Sequence, residues 1–223
     1  MTRILVRWTA RRIHPCVAHF EALTGVDQLI ITGHTETELA NILPSLLEQH
    51  TPSANTPVMI APDDLIVSQY AMDAVFEHHE ATGVFACGWS NVDFTHPIAN
   101  VTLNPPAKPE PAGPGDYDFL PISSIASRST PFDVGFNGMT LLTMPAWAWQ
   151  APDLRLNPCG ETGPGYASDW ALCRRIHEAG YTLVCVPQAF AAHMKTNYTK
   201  TDNHDAWKRV NVRDKRTEWR PHA

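Results

Sequence analysis

The stretch "VMIAPDDLIV" (residues 58–67) decides how the chain is read. Four of its first five residues are apolar or small, as in a strand buried on both faces of a sheet. Asp63 and Asp64 then stand side by side before more aliphatic residues. Adjacent carboxylates repel and hydrate strongly, so a chain rarely carries two into its own core without a use for them. Downstream, the spacing predicts a helix over roughly 64–82, stopped at Gly83, and a strand "VFACGWSNV" over 84–92. Upstream, "RILVRW" (3–8) and "DQLIITG" (27–33) are β-prone, and "HPCVAHFEALTG" between them has helical spacing with Gly25 as its stop. "TETELANILPSLLEQH" (35–50) reads as a helix with Thr35 as cap, Glu38 completing a capping box, and Pro44 kinking or dividing it. Strands alternating with helices imply a parallel sheet with helical crossovers.

That order breaks after residue 92. Residues 105–121, "PPAKPEPAGPGDYDFLP", hold six prolines, which exclude a helix or a central strand there. The segment is either a surface excursion or a flap beside a site. "VGFNGMTLLTMPAWAW" (134–149) returns to a strand and a short helix, and "NPCGETGPGYAS" (157–168) is a glycine-rich loop. "DWALCRRIHEAG" (169–180) is a helix with Ser168 as cap and Gly180 as stop, followed by the strand "YTLVCVP" (181–187). The expectation is one α/β domain over 1–194, with a strand-helix half at about 1–92, a looser half at about 134–194, and a separate segment 195–223.

Composition narrows the class. The 223 residues suit one sizeable domain, and 43% apolar with 18% charged is ordinary for a globular chain. No run of eighteen apolar residues occurs, so no membrane span is expected, and the N-terminus lacks a signal-peptide pattern. Five dispersed cysteines (16, 87, 159, 173, 185), none in CxxC spacing, argue against a disulfide framework or thiolate zinc site and for a cytoplasmic protein. Charge is uneven. From Lys195 onward there are eight Lys/Arg against four Asp/Glu, whereas the preceding residues carry nine against nineteen. A basic segment on an acidic body either meets a polyanion, DNA being one candidate, or is a solvated end.

A parallel α/β sheet presents its ligand site at the carboxyl ends of its strands. Three polar features fall there: Asp63–Asp64, Asp169 behind the glycine-rich loop, and His193 after the last strand. Together they could hold a divalent cation beside an anionic ligand. The macrodipole at a helix start accounts equally for each of the aspartates. "EHHE" (77–80) lies within a helix where adjacent His78 and His79 cannot share a face, which argues against a metal role, and "AWAW" (146–149) is read as core packing. "GETGPG" (160–165) lacks the lysine of a phosphate-binding P-loop.

In order and flanks these features resemble the GT-A nucleotide-sugar glycosyltransferases, the family-2-like ones especially. "VMIAPDDLIV" is similar to the strand ending in that superfamily's DxD motif. "ASDWALCRRIHEAGYTLVCVPQAFAAHM" (167–194) is similar to its second signature. The resemblance implies a GT-A-like (Rossmann-like) domain, with a mostly parallel central sheet flanked by helices. It implies a metal-dependent hexosyl- or pentosyltransferase that moves a sugar from a nucleotide-sugar donor to an acceptor hydroxyl, inverting its configuration. Asp64 and His193 would hold the metal, Mn²⁺ or Mg²⁺, and Asp169 would be the general base. Thr9, Arg11, Asp63, Asp64, Asn137 and Gly138 would line the donor, and Trp170 the acceptor. The sequence departs from the pattern at Pro62, which occupies the first acidic position of DxD, and at Ser168, in place of the first acid of a pair. Gly33–His34 replace an acidic residue after the second strand. The acceptor stays open among a modified DNA base, a lipid carrier, a protein and a small molecule. A non-catalytic nucleotide-sugar binding protein and a nucleotidyltransferase of related architecture are the alternatives.

Overall fold

A computed structural model describes residues 2–9, 14–32, 36–92, 97–106, 118–154 and 168–194. The first half alternates β1 (Ile4–Thr9), α1 (His14–Glu21), β2 (Asp27–Thr32), α2 (Glu36–His50), β3 (Pro57–Pro62), the short β4 (Leu65–Ile66), α3 (Gln69–Thr82) and β5 (Phe85–Trp89). The second half runs through β6 (Ile98–Thr102), β7 (Phe119–Pro121), α4 (Ile122–Ala126), β8 (Phe132–Val134), β9 (Phe136–Asn137), β10 (Leu142–Pro145) and α5 (Ala146–Gln150). It closes with α6 (Ser168–Glu178), β11 (Leu183–Phe190) and β12 (Ala192–His193).

The central sheet has seven strands in the order β2-β1-β3-β10-β5-β11-β8. β1 pairs parallel with β2 and β3, and β11 parallel with β5, while β10 and β8 run antiparallel to their neighbours. This is the expected α/β architecture, a mostly parallel sheet flanked by helices. The apolar run at 58–61 is explained by burial on both faces. Ile4, Val6, Val58 and Ile60 pack with Leu39, Leu43 and Leu47 of α2 and Trp149 of α5. Their alternates Leu5, Met59 and Ala61 pack with Phe20 of α1 and with Met72, Val75 and Phe76 of α3. Successive side chains of a strand point to opposite faces, so each face receives one set.

Two smaller sheets depart from the sequence reading. The helix expected from residue 64 begins only at Gln69, where the Ser68 hydroxyl accepts the Ala71 N–H at 3.0 Å as its cap. Leu65 and Ile66 instead pair antiparallel with His193 and Ala192. A long-range pairing thus overrides the local helical pattern. The strand expected over 84–92 ends at Trp89, and that expected over 181–187 extends to Phe190. β7, β6 and β9 form a three-stranded sheet in which only β9 falls within an expected strand (134–149), while β6 and β7 had no signal in the periodicity. Its β7 is an edge strand ending in Pro121, consistent with the exclusion of a central strand.

α2 is not divided at Pro44 but continues through it to His50, whereas α3 closes as expected on Gly83 in the left-handed conformation (φ 71°), its N–H donating to His79 O at 2.7 Å. His79 is a satisfied buried histidine whose Nδ1 donates to the Val84 carbonyl at 2.7 Å. Trp149 is fully buried and donates Nε1–H to Val58 O at 3.0 Å. Thr35, the proposed cap of α2, most of the proline-rich loop, the glycine-rich loop and the segment 195–223 lie outside the described residues.

Candidate functional site

The adjacent carboxylates at the carboxyl end of β3 serve different partners. Asp63 N–H donates to Trp8 O at 2.8 Å, which extends the β1–β3 pairing by one residue. Its carboxylate is fully buried and accepts Arg7 Nε–H at 3.2 Å and Arg7 Nη2–H at 3.4 Å. Arg7, itself buried, also donates Nη1–H to Gln28 Oε1 at 3.1 Å and lies 5.1 Å over the Phe20 ring. Asp63 is therefore the counter-ion of a buried guanidinium. Sequence reasoning missed this role, because Arg7 sits within an apolar strand pattern and its partner is 56 residues away.

Asp64 meets His193. The imidazole Nε2 lies 3.1 Å from Asp64 Oδ2, and Asp64 Oδ1 is buried without a hydrogen-bond partner. The two chain segments are tied by the β4–β12 pairing and by Met194 N–H donating to Asp64 O at 2.7 Å. Nearby Cys16 registers the negative charge. Burial pushes its thiol well above the usual range, and the Asp64 and Asp63 charges push it further. Among the described residues no cluster of three or more His, Cys, Asp or Glu side chains could hold a metal. The Asp64–His193 pair offers one free carboxylate oxygen and one imidazole. That set fits a cation only if a ligand's phosphate oxygens or waters complete its shell.

Asn137 and Gly138 belong to a buried polar framework. Asn137 donates Nδ2–H to Gly88 O at 2.8 Å and accepts the Thr140 N–H on Oδ1, also at 2.8 Å. The chain here crosses close over Asn100, and a Cβ on Gly138 would lie 2.9 Å from Asn100 Nδ2. Met139 and Leu141 both take φ of 54° without being glycine. Such residues cost about 1–3 kcal/mol each and persist where surrounding bonds over-determine them. Thr140 supplies those bonds. Its carbonyl accepts Gly88 N–H at 2.9 Å, and its hydroxyl accepts Asn100 Nδ2–H at 2.6 Å and donates to Ser90 Oγ at 3.2 Å. Asn137 thus spends its side chain on the framework, and what it contributes at the site is the shape of this turn.

α6 is docked onto the same turn. Cys173 Sγ accepts the Asn137 N–H at 3.4 Å, and burial pushes its thiol up to about 12. Asp169 stands in the first turn of α6, with Oδ1 accepting the Trp170 N–H at 2.8 Å. Trp170 is the residue expected to line the acceptor. It is 6% exposed, and its ring packs in the core at 5.3 Å and 53° to Phe136. An aromatic directly after a helix-start residue faces inward when α6 packs on β9. Thr9 ends β1 opposite Thr32 of β2, and Arg11 lies outside the described residues.

No protein-family model matches the chain, and no curated protein matches it by sequence. Among solved structures, A197 from STIV aligns with a TM-score of 0.50 at 9% identity, over 89% of this chain and 97% of that one. 4-Diphosphocytidyl-2C-methyl-D-erythritol synthase aligns with a TM-score of 0.46 at 10% identity, over 95% and 97% respectively. UDP-glucose pyrophosphorylase from acinetobacter baumanii aligns with a TM-score of 0.43 at 9% identity, over 88% and 65%. At 9% identity, the likeness to the first of these is one of fold, extending over nearly the whole chain. No helix among the described residues is long and apolar enough to cross a membrane.

Proposed function

We propose that the protein is a metal-assisted glycosyltransferase that binds a nucleoside-diphosphate sugar with its diphosphate at Asp64 and His193. One observation carries the reading. At the carboxyl end of β3, a buried carboxylate has one oxygen on an imidazole and the other without a partner. Carboxyl ends of parallel strands are where such sheets bind ligands. Asp64 and the His193 imidazole would hold a divalent cation there, a mixed set that suits Mn²⁺ better than Mg²⁺. Once bound, it would neutralise charge on the departing diphosphate. Asp63, fixed on Arg7, holds the turn that presents Asp64. Thr9 and Arg11 flank the nucleotide, with Gly138 at the sugar. Asp169 accepts the proton of the acceptor hydroxyl as inverting attack proceeds.

Calorimetry with a nucleoside diphosphate, with and without Mn²⁺, tests this. Asp64→Ala is expected to lose the Mn²⁺-dependent part of the affinity and His193→Ala to weaken it, because two phosphate charges are left under-compensated. Unchanged affinity in Asp64→Ala refutes the assignment. Products separate the readings: free nucleoside diphosphate supports glycosyl transfer, pyrophosphate means nucleotidyl transfer, and binding without turnover means a carrier. The basic segment 195–223 keeps DNA among the acceptors, and its log affinity would then fall linearly with log salt, by about 0.7–0.9 per phosphate neutralised. No retention of duplex DNA on nitrocellulose at low salt removes that acceptor.

A further inference from the structure

We propose that Asn91 is the positioning residue that sets His193 in register with Asp64. The inference rests on the reading of Asp64 and His193 as the cation-holding pair. The need for such a residue follows from the pairing itself. His193 lies in β12, which pairs with β4 over two residues, Ala192 opposite Ile66 and His193 opposite Leu65, with one further bond from Met194 N–H to Asp64 O. Strands usually run three to ten residues, and a ladder this short specifies its register weakly. A slip of one residue would turn His193 to the opposite face and remove the imidazole from Asp64.

Asn91 supplies the missing constraint from the other side. It is fully buried just beyond β5, and its amide takes both backbone polar groups of His193. His193 N–H donates to Asn91 Oδ1 at 3.0 Å, and Asn91 Nδ2–H donates to His193 O at 3.2 Å. A carboxamide carries one acceptor and one donor group side by side, so it can pair with one residue's N–H and C=O as a neighbouring strand would. Only one amide orientation satisfies both bonds. Asp could make the first but not the second.

Asn91 is itself held firmly. It bridges Ala99, Val92 N–H donates to Ile98 O at 3.1 Å, and Ser90 and Asn100 exchange bonds of 2.9 and 3.0 Å immediately before it. Leading into β12, Ala191 N–H donates to Trp89 O at 2.9 Å. His193 is thus clamped between a rigid amide on one side and, on the other, the strand that follows its own ring partner.

The test uses the full-length protein and two readouts. In metal-free protein, ¹H–¹⁵N spectra report the His193 imidazole, identified by its loss in His193→Gln. Mn²⁺ alone, followed by water-proton relaxation, reports the cation. Asn91→Ala is expected to move the His193 ring signal to that of an unbonded imidazole. It is also expected to weaken Mn²⁺ by about 10–100-fold, the usual effect of losing a residue that orients a metal ligand. Asn91→Asp, which keeps the acceptor, should fall between Asn91→Ala and the wild type. Thr56→Ala, which deletes a buried hydroxyl bonded to Ser53 at the far end of β3, should lower stability yet leave both readouts unchanged. A folded Asn91→Ala with wild-type ring signal and wild-type Mn²⁺ affinity overturns the proposal. If Asn91→Ala does not fold, Asn91→Asp with an unmoved ring signal overturns it equally. If wild-type protein takes up no Mn²⁺, the cation reading falls, and the ring signal by itself supports or overturns the role of Asn91.

Discussion

Asp63→Ala would remove the partner of a guanidinium that water scarcely reaches, since Arg7 is 1% exposed and Asp63 0%. At the observed 3.2 Å separation, an effective dielectric of about 20 gives roughly 5 kcal/mol of attraction. Part of that offsets the desolvation of both ions, so the net value of the pair is smaller. Removing one partner is different, because the other stays buried without compensation, and the expected loss is about 3–5 kcal/mol. The remaining contacts of Arg7, to Gln28 and the Phe20 face, hold the side chain in place but carry no counter-charge. For a chain of this size each kcal/mol moves the melting temperature by about 2–4 °C, so a fall of about 10 °C is expected. The double variant Arg7→Met with Asp63→Leu should lie within about 1 kcal/mol of wild type or above it, as buried pairs replaced by apolar residues do. Urea unfolding of wild type, Arg7→Met, Asp63→Leu and the double variant at neutral pH closes the cycle, with Asp63→Ala measured alongside. If the single losses simply add in the double, or if Asp63→Ala costs less than about 0.5 kcal/mol, the counter-ion reasoning is wrong. In the second case Asp63 would be free for the donor contact that the family resemblance implies.

Asp169→Asn should leave donor binding intact while lowering turnover by about 10², the scale of a lost general base. Normal turnover would leave Asp169 a helix-start residue, bonded to the Trp170 N–H, and not the base. Glu80 gives a pH-dependent test of the opposite end of β1. Arg3 grips it with Nε–H to Oε1 at 2.9 Å and Nη2–H to Oε2 at 2.7 Å, and this hydrogen bonding holds the Glu80 carboxyl below its usual range. A carboxyl depressed in the folded state stabilises fully above the unfolded value and loses that contribution as pH falls through the folded one. Glu80→Gln should therefore cost about 0.5–1 kcal/mol at neutral pH, with the difference fading below about pH 4. Melting temperatures of the two proteins across that range check it, and a gap that persists at low pH contradicts the ion pair.

Much of the architecture was legible without the structure, because it depends on neighbours a few residues apart. The apolar runs at 3–8 and 58–62, the helical spacing of 35–50 and the stops at Gly83 and Gly180 are local signals, and the corresponding strands and helices are present. The paired carboxylates marked the carboxyl end of β3 as a candidate site. Tertiary structure decided how the marked residues are used. Asp63 and Asp64 look alike in sequence, yet one neutralises Arg7 across 56 residues and the other meets His193 across 129. Leu65 and Ile66 carry a helical pattern but are taken by β12, so α3 starts at Gln69. Asn91 falls near the end of a strand expected over 84–92, and only the alignment of β5 with the end of β11 puts its amide against the His193 backbone. Trp170, expected to line the acceptor, is turned inward onto Phe136 by the packing of α6. Propensity and periodicity act over one or two turns of chain, whereas these partnerships depend on sheet order and register, which are set only when distant strands pair.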